Sequence, residues 1–145
     1  MKTSTQGKRF IQQFEGLRLS AYLCPADKWT IGYGNTQIGG RPVKADDKIT
    51  LTEAEDLFEI TLIPYERKVL QKVSSILNQN QFDALVSHTY NTGGSDILFA
   101  LINQGAAESE IRQWMETSHI TGNGAVLNGL IKRRKAESEL YFKAL

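Results

Sequence analysis

Three side chains near the start of the chain have types and spacing suited to acid–base chemistry: Glu15, Cys24 and Thr30. Glu15 ends a run with helical apolar spacing, and Gly16 follows it in a helix-terminating position. A carboxyl group there faces the negative end of the helix dipole, which favours its protonated form. A general acid needs such a proton to give to a leaving oxygen. By spacing alone, a solvated glutamate at a helix end is the commoner case.

Cys24 and Thr30 lie on a segment in which apolar and polar residues alternate on both sides of a turn at residues 25–27. We predict two strands that fold back beside the end of the first helix, where the thiol and the hydroxyl together could hold a water molecule. A lone cysteine is more often a small buried apolar residue. Asp27, the carboxylate of the turn, is more often a turn former.

The rest of the chain is predicted to be mainly helical, without repeats or low-complexity linkers. Thr52 with Glu55 forms a capping-box pattern, Asn80 can cap a later helix, and Pro64 should kink the long helix that contains it. The predicted elements are helices over 5–14, 52–73, 80–92, 96–103, 107–117 and 127–142, strands over 17–23, 29–33 and 36–38, and a loop over 121–124.

This order of elements predicts an α+β, mostly helical fold in a single domain, residues 1–145. One lobe, about residues 12–60, contains the small sheet. A long helix connects it to a larger helical lobe, about residues 1–11 and 61–145. A chain of this length buries ~68–70% of its unfolded surface, which suffices for a core without disulfides.

Composition excludes several classes of protein. The net charge of +1 gives no domain-wide field for nucleic acid, and the basic run 132–135 is expected to be a solvated helix face. One cysteine and two histidines make neither a disulfide nor a recognisable zinc site, and no metal or other cofactor is expected. We find no leader-like N-terminus and no run of ~18 apolar residues, so we expect a soluble cytoplasmic product without membrane insertion.

The spacing of Glu15, Cys24 and Thr30, with the run WTIGYGNT over 29–36, resembles the phage-type lysozyme family of endolysins, or muramidases. That family has glutamate, then aspartate or cysteine, then threonine at this spacing. The resemblance extends over nearly the whole chain. The further similar segments are 51–55, 81–87, 90–93 and 129–137.

The resemblance implies a lysozyme-like fold and hydrolysis of the β-1,4 bond between N-acetylmuramic acid and N-acetylglucosamine in peptidoglycan, with the sugar chain in a cleft between the lobes. It implies that Glu15 is the general acid, that Cys24 occupies the second catalytic position and that Thr30 orients the attacking water. An inverting mechanism is favoured. Weaker assignments are substrate binding by Tyr33, Thr36 and Asn91, and charge pairing of the acid with Arg133 or Arg134.

The chemistry of Cys24 is a separate question. A thiol with an ordinary pKa of ~8.5 is mostly neutral where a carboxylate would be ionised, so Cys24 is either tuned or only positions water. The chain departs from the family at two points. Asn35 stands where the family usually has histidine, and the stretch Met115 to Asn128 ends in Leu127-Asn128-Gly129 where Leu-Pro-Gly is common.

Two other readings stay open on the sequence: a lytic transglycosylase acting on the same substrate, and a module that binds the wall without cutting it. The hypothesis of a nucleic-acid-binding protein rests on the basic run 132–135 alone. The resemblance further implies a monomeric phage or prophage protein that accumulates in the host cytoplasm and needs a holin to reach the wall.

Overall fold

The computed structural model describes all 145 residues, which form two compact units. The sheet unit is Arg9–Ile63, and the helical unit combines Met1–Lys8 with Pro64–Leu145. The elements in chain order are α1 (Thr5–Glu15), β1 (Arg18–Leu23), β2 (Trp29–Gly32), β3 (Gln37–Ile38), β4 (Arg41–Pro42), α2 (Leu51–Lys72), α3 (Gln79–Thr92), α4 (Asp96–Asn103), α5 (Glu108–Thr117), β5 (Thr121–Gly122), β6 (Ala125–Val126) and α6 (Asn128–Phe142).

The predicted α+β, mostly helical class is confirmed. The strands form three separate antiparallel pairs, β1 with β2, β3 with β4, and β5 with β6. The predicted long helix is present as α2, which continues through Pro64. None of the helices combines the length and the apolar character that crossing a bilayer requires.

The sheet unit encloses an apolar core contributed by its two helical segments and by β2. Phe58 is fully buried and its ring lies 5.2 Å from that of Tyr33. These contacts hold the segment after β2 against α2. The other fully or almost fully buried apolar residues of this unit are Ile11, Ile31, Ala54 and Leu62.

The helical unit is organised around α3. Residues 82–89 of this helix are all buried, and α3 packs against α6, which also contacts α5. Such continuous burial marks a central helix enclosed on all sides. Ser4 donates its hydroxyl to Asp83 of α3, which holds the first residues of the chain on this unit.

Two predicted helix caps are wrong by two residues, and both helices begin one residue earlier than predicted. The box at α2 is formed by Thr50, whose Oγ1 accepts from the Glu53 amide at 3.1 Å, while the Glu53 carboxylate accepts from the Thr50 amide at 3.2 Å. At α3 the cap is Asn78 rather than Asn80. In both helices the predicted and the observed capping residue fit the same spacing. The earlier residue is the cap because its side chain accepts from an amide in the first turn of the helix.

The predicted loop over 121–124 is a β-hairpin instead. Thr121 pairs with Val126, and Gly122 pairs with Ala125. The two residues between the strands, Asn123 and Gly124, have φ of 52° and 78°. A two-residue hairpin turn needs positive φ at both positions, and the Asn-Gly pair is a strong sequence signal for it.

The Thr50 cap gives a direct test of where α2 begins. We expect Thr50→Ala to lower the free energy of unfolding by about 1 kcal/mol, because the Glu53 amide loses its acceptor. Thr52→Ala is the matched control, since Thr52 lies inside the first turn and should change stability much less. Urea denaturation of both variants measures the difference, and equal losses would contradict the assignment.

Candidate active site

Cys24 and Thr30 are positioned by the hairpin that joins β1 to β2. The Asp27 amide donates to the Cys24 carbonyl at 2.9 Å, and the Cys24 amide donates to the Lys28 carbonyl at 3.0 Å. Asp27 has φ of 60°, a left-handed conformation that aspartate tolerates better than most residues. Pro25 occupies the second turn position, where its fixed φ fits. The sequence CPADK therefore closes the turn, and Asp27 has a structural reason to be there.

The structure brings the Cys24 and Thr30 side chains together beyond this turn. Thr30 is 3% exposed and its hydroxyl donates to the Lys28 carbonyl at 2.9 Å. Hydrogen bonds from the Lys28 and Ala26 amides, and one from the Thr30 hydroxyl, lower the pKa of the Cys24 thiol. A thiolate stabilised in this way is more populated near neutral pH than an ordinary cysteine.

The Thr30 hydroxyl carries a single hydrogen, so it donates either to the Lys28 carbonyl or to the sulfur. With a neutral thiol it can donate to Lys28 and accept from the S–H group. When Cys24 ionises, rotation of the hydroxyl directs its hydrogen to the thiolate. Thr30 can therefore serve both protonation states of its neighbour without a change in the backbone.

Glu15 is the last residue of α1 and is partly exposed. Its carboxylate lies against Gly34 in the segment after β2, so close that a Cβ on residue 34 would be 3.0 Å from Oε2. Gly34 also has φ of 83°, which disfavours any side chain. The predicted acid and the predicted water-holding pair thus lie on consecutive elements of the same unit.

Tyr33 and Asn35, which flank Gly34, hold that segment in place. The Tyr33 hydroxyl donates to Glu55 at 2.7 Å, and Tyr33 is 6% exposed. Loss of hydration and the Glu55 carboxylate raise the pKa of Tyr33 to about 12. Asn35 donates to the Thr61 hydroxyl at 2.8 Å. Both contacts anchor the Gly34 segment to α2, so Tyr33 has a structural role beside its predicted role in binding.

Sequence reasoning missed Glu55 as a member of this region. Its second carboxylate oxygen accepts from Gln12 of α1 at 2.8 Å, so one side chain ties α1 and the Gly34 segment to α2. The sequence did single out Glu55, but as part of a predicted capping box. In the structure Thr50 and Glu53 form that box, so the Glu55 carboxylate can bond Gln12 and Tyr33 instead.

Thr36 is exposed and lines a pocket of about 300 Å³ beside the hairpin. This location is compatible with its predicted contact to substrate. Trp29, a partly exposed aromatic residue, forms another part of the wall. The remaining lining residues are Lys28, Gln37, Pro42 and Val43.

The other predicted site residues lie in the helical unit. Arg133 and Arg134 are 4% and 0% exposed, so the prediction of a solvated basic face is wrong for them. Both pair with buried Glu137, with nitrogen–oxygen distances of 3.2 and 2.9 Å. Arg134 also donates to Asn91 at 2.6 Å. Only Lys132 and Lys135 of the run are exposed, because the run winds around α6.

This buried cluster carries more positive than negative charge. Desolvation and the nearby Arg134 lower the pKa of His88 to about 3, so its ring is neutral at ordinary pH. Burial raises the pKa of Glu137, and the two arginines oppose that rise. The predicted pairing of Arg133 or Arg134 with Glu15 stays a prediction.

The sequence of this chain is similar to those of known proteins. The phage lysozyme family model matches residues 12–137. An endolysin of Acyrthosiphon pisum secondary endosymbiont phage 1 is 34% identical over 151 residues, covering 99% of this chain and 100% of that protein. The endolysin of Bacillus phage PZA is 35% identical, covering 97% of this chain and 55% of that protein. The chain therefore spans about half the length of the Bacillus phage relative.

Solved structures are similar over the whole chain. The endolysin of Escherichia coli phage FAHEc1 has a TM-score of 0.90 at 33% identity, covering 100% of this chain and 96% of that one. The muramidase domain of SpmX from Asticaccaulis excentricus has a TM-score of 0.85 at 33% identity, covering 99% of each chain. A P22 lysozyme variant has a TM-score of 0.83 at 26% identity, with 99% of each chain covered. The lysozyme-like fold is confirmed.

The hydrogen bonds around Cys24 predict its reactivity. We expect the rate of alkylation by iodoacetamide to reach half its maximum at a lower pH than it does for a free cysteine peptide. Thr30→Val should move this midpoint upward, because the thiolate loses a donor, while Thr36→Val is the matched control and should not. A midpoint at or above that of a free cysteine peptide would rule out the stabilised thiolate.

Proposed function

Because the chain belongs to the phage lysozyme family and is a glycoside hydrolase, we propose that it cleaves the β-1,4 bond between N-acetylmuramic acid and N-acetylglucosamine in bacterial peptidoglycan. The observation that carries this proposal is the location of Glu15. Its carboxyl group ends α1 against Gly34, in the same unit as the Cys24–Thr30 hairpin. An acid and a water-activating group are the two functions that an inverting glycosidase needs.

Glu15 acts as the general acid in this proposal. Its carboxyl group donates a proton to the glycosidic oxygen as the bond from that oxygen to the anomeric carbon breaks. The leaving sugar departs as a neutral alcohol, and Glu15 is left as a carboxylate. The side-chain-free backbone at Gly34 lets the carboxyl group sit close to the chain while staying partly exposed to substrate.

Cys24 and Thr30 act on the water in this proposal. The Cys24 thiolate accepts a proton from the water while the water oxygen attacks the anomeric carbon from the face opposite the leaving group. The Thr30 hydroxyl orients that water by accepting a hydrogen bond from it through an oxygen lone pair, while its own hydrogen is donated to Lys28 or to the thiolate. The products are two shorter sugar chains, a neutral thiol and a carboxylate, and proton exchange with solvent restores the starting state. Inversion of the anomeric carbon follows.

The biological setting is part of the same proposal. The endolysins among its relatives are phage proteins, which supports action on a bacterial cell wall. We infer that the protein accumulates in the host cytoplasm as a monomer and reaches the wall after a holin opens the membrane.

Glu15→Gln tests the acid. We expect this variant to lose at least ~100-fold of the lytic rate, the usual minimum for a general acid, with an unchanged thermal midpoint. Glu139→Gln, an exposed glutamate of α6, is the matched control and should lyse normally. Turbidity loss of peptidoglycan suspensions is the measurement, and normal lysis by Glu15→Gln would remove Glu15 from the mechanism.

Product analysis of the wild-type digest decides the reaction type. We expect reducing muropeptides whose first-formed anomer is inverted. Products lighter by one water would identify a lytic transglycosylase, and retention would require a covalent or assisted intermediate. Binding to the wall without any product would leave a non-catalytic module.

Variants of Cys24 test the second position. We expect Cys24→Asp to keep activity, because a carboxylate can take the same proton, and Cys24→Ala to lose ~10²–10⁴-fold. Initial rates on the same substrate compare the two. If Cys24→Ala matched the wild type, the cysteine would be a packing residue and Asp27 would become the next candidate.

A further inference from the structure

The helical unit has a groove lined by both apolar and polar side chains. It has a volume of about 330 Å³ and lies between α4 and α5. Ile97 and Leu101 of α4 form one wall, and a row on α5 forms the other. That row consists of Glu110, Gln113, Trp114 and Thr117.

Trp114, one of the lining residues, is held in a fixed orientation. Its indole N–H donates to the Ser95 hydroxyl at 3.1 Å, and the same hydroxyl caps α4 by accepting from the Leu98 amide at 3.2 Å. The ring of His119 meets the indole edge-on, with centroids 6.5 Å apart. The partly exposed indole is therefore a rigid surface tied to the start of the neighbouring helix.

Polar groups flank the indole along the same face of α5. Glu110, Gln113 and Thr117 are all exposed. Residues three or four apart on a helix lie about one turn, 5.4 Å, from one another, which is close to the width of a pyranose ring. A carboxylate, an amide and a hydroxyl can accept from and donate to the hydroxyl and acetamido groups of a sugar that stacks on the indole.

The lining favours a sugar over other occupants. Three of the six lining residues are polar, whereas a groove that takes an amphipathic helix is mostly apolar. Glu110 at its edge, with Glu108 in the same turn of α5, opposes binding of a phosphate backbone. The volume is at the lower end for small-ligand pockets, which suits one or two sugar rings.

We propose that this α4–α5 groove binds an N-acetylated sugar of the glycan strand, as an anchoring site additional to the candidate active site. The proposal rests on the proposed function only in taking the wall glycan as the natural ligand. A second contact to the same polymer raises the local concentration of enzyme along the strand without changing the chemistry at Glu15.

The test uses the full chain with Glu15→Gln, titrated with the soluble tetramer of N-acetylglucosamine and followed by NMR. The chain has two tryptophans, so the indole N–H signals of Trp29 and Trp114 report separately on the pocket beside the hairpin and on the groove. We expect a saturable shift of the Trp114 signal. Assignment is made with Trp29→Phe.

Two rim substitutions and two matched controls complete the test. Ile97→Asp and Gln113→Ala should each weaken the Trp114 titration by at least ~10-fold, about 1.4 kcal/mol. Ile76→Asp is the control for Ile97→Asp, because Ile76 is 99% exposed. Gln71→Ala is the control for Gln113→Ala, because Gln71 is an exposed residue of α2. Both controls should titrate like the parent. Thermal melting checks that all variants fold.

The proposal is overturned if the Trp114 signal stays fixed at sugar concentrations that saturate the Trp29 signal, if neither signal moves at millimolar sugar, or if the controls weaken the titration as much as the rim variants. A Trp114 shift without any peptidoglycan cleavage by the wild type would support the groove and reject the proposed function. Cleavage without the shift would do the reverse.

Discussion

The carbonyl of Lys28 accepts two hydrogen bonds, and the candidate site depends on them. One comes from the Cys24 amide and closes the hairpin, and the other comes from the Thr30 hydroxyl and sets its direction. The Lys28 and Ala26 amides of the same turn also lower the pKa of the Cys24 thiol. A five-residue turn thereby holds the backbone of one reactive group, directs the hydroxyl of a second and shifts the pKa of the first.

In the rest of the sheet unit, hydrogen bonds between side chains hold the elements together. Glu55 bonds both Gln12 and Tyr33, and Asn35 bonds Thr61, so α1, the Gly34 segment and α2 are tied by side chains rather than by a continuous sheet. Strand pairs of two to six residues are marginal by themselves. Hydrogen bonds between side chains supply the order that the short strands do not.

Much of this could be predicted from periodicity and spacing. Helix α4 has the predicted bounds, and the hairpin with its turn lies where alternation and Pro25 place it. The capping residues of α2 and α3 could not be predicted from spacing. At α2, Thr50 and Thr52 both precede a glutamate by three residues, and only the tertiary path decides between them. The burial of Arg133 and Arg134 could not be predicted from the composition of the run either. Four consecutive basic residues point to all sides of a helix, and the packing of α3 on α6 determines which of them are buried with Glu137. The grouping of Cys24 with Thr30 followed from their spacing, whereas the protonation of the thiol depends on amide directions that no sequence displays.

Gly34 shows how tightly fold and chemistry are joined in this protein. Its φ of 83° disfavours any side chain, and a Cβ there would lie 3.0 Å from the Glu15 carboxylate. A substitution at this position would therefore strain the backbone and press on the acid at the same time. The same residue thus bears on both the stability of the segment after β2 and the position of the Glu15 side chain.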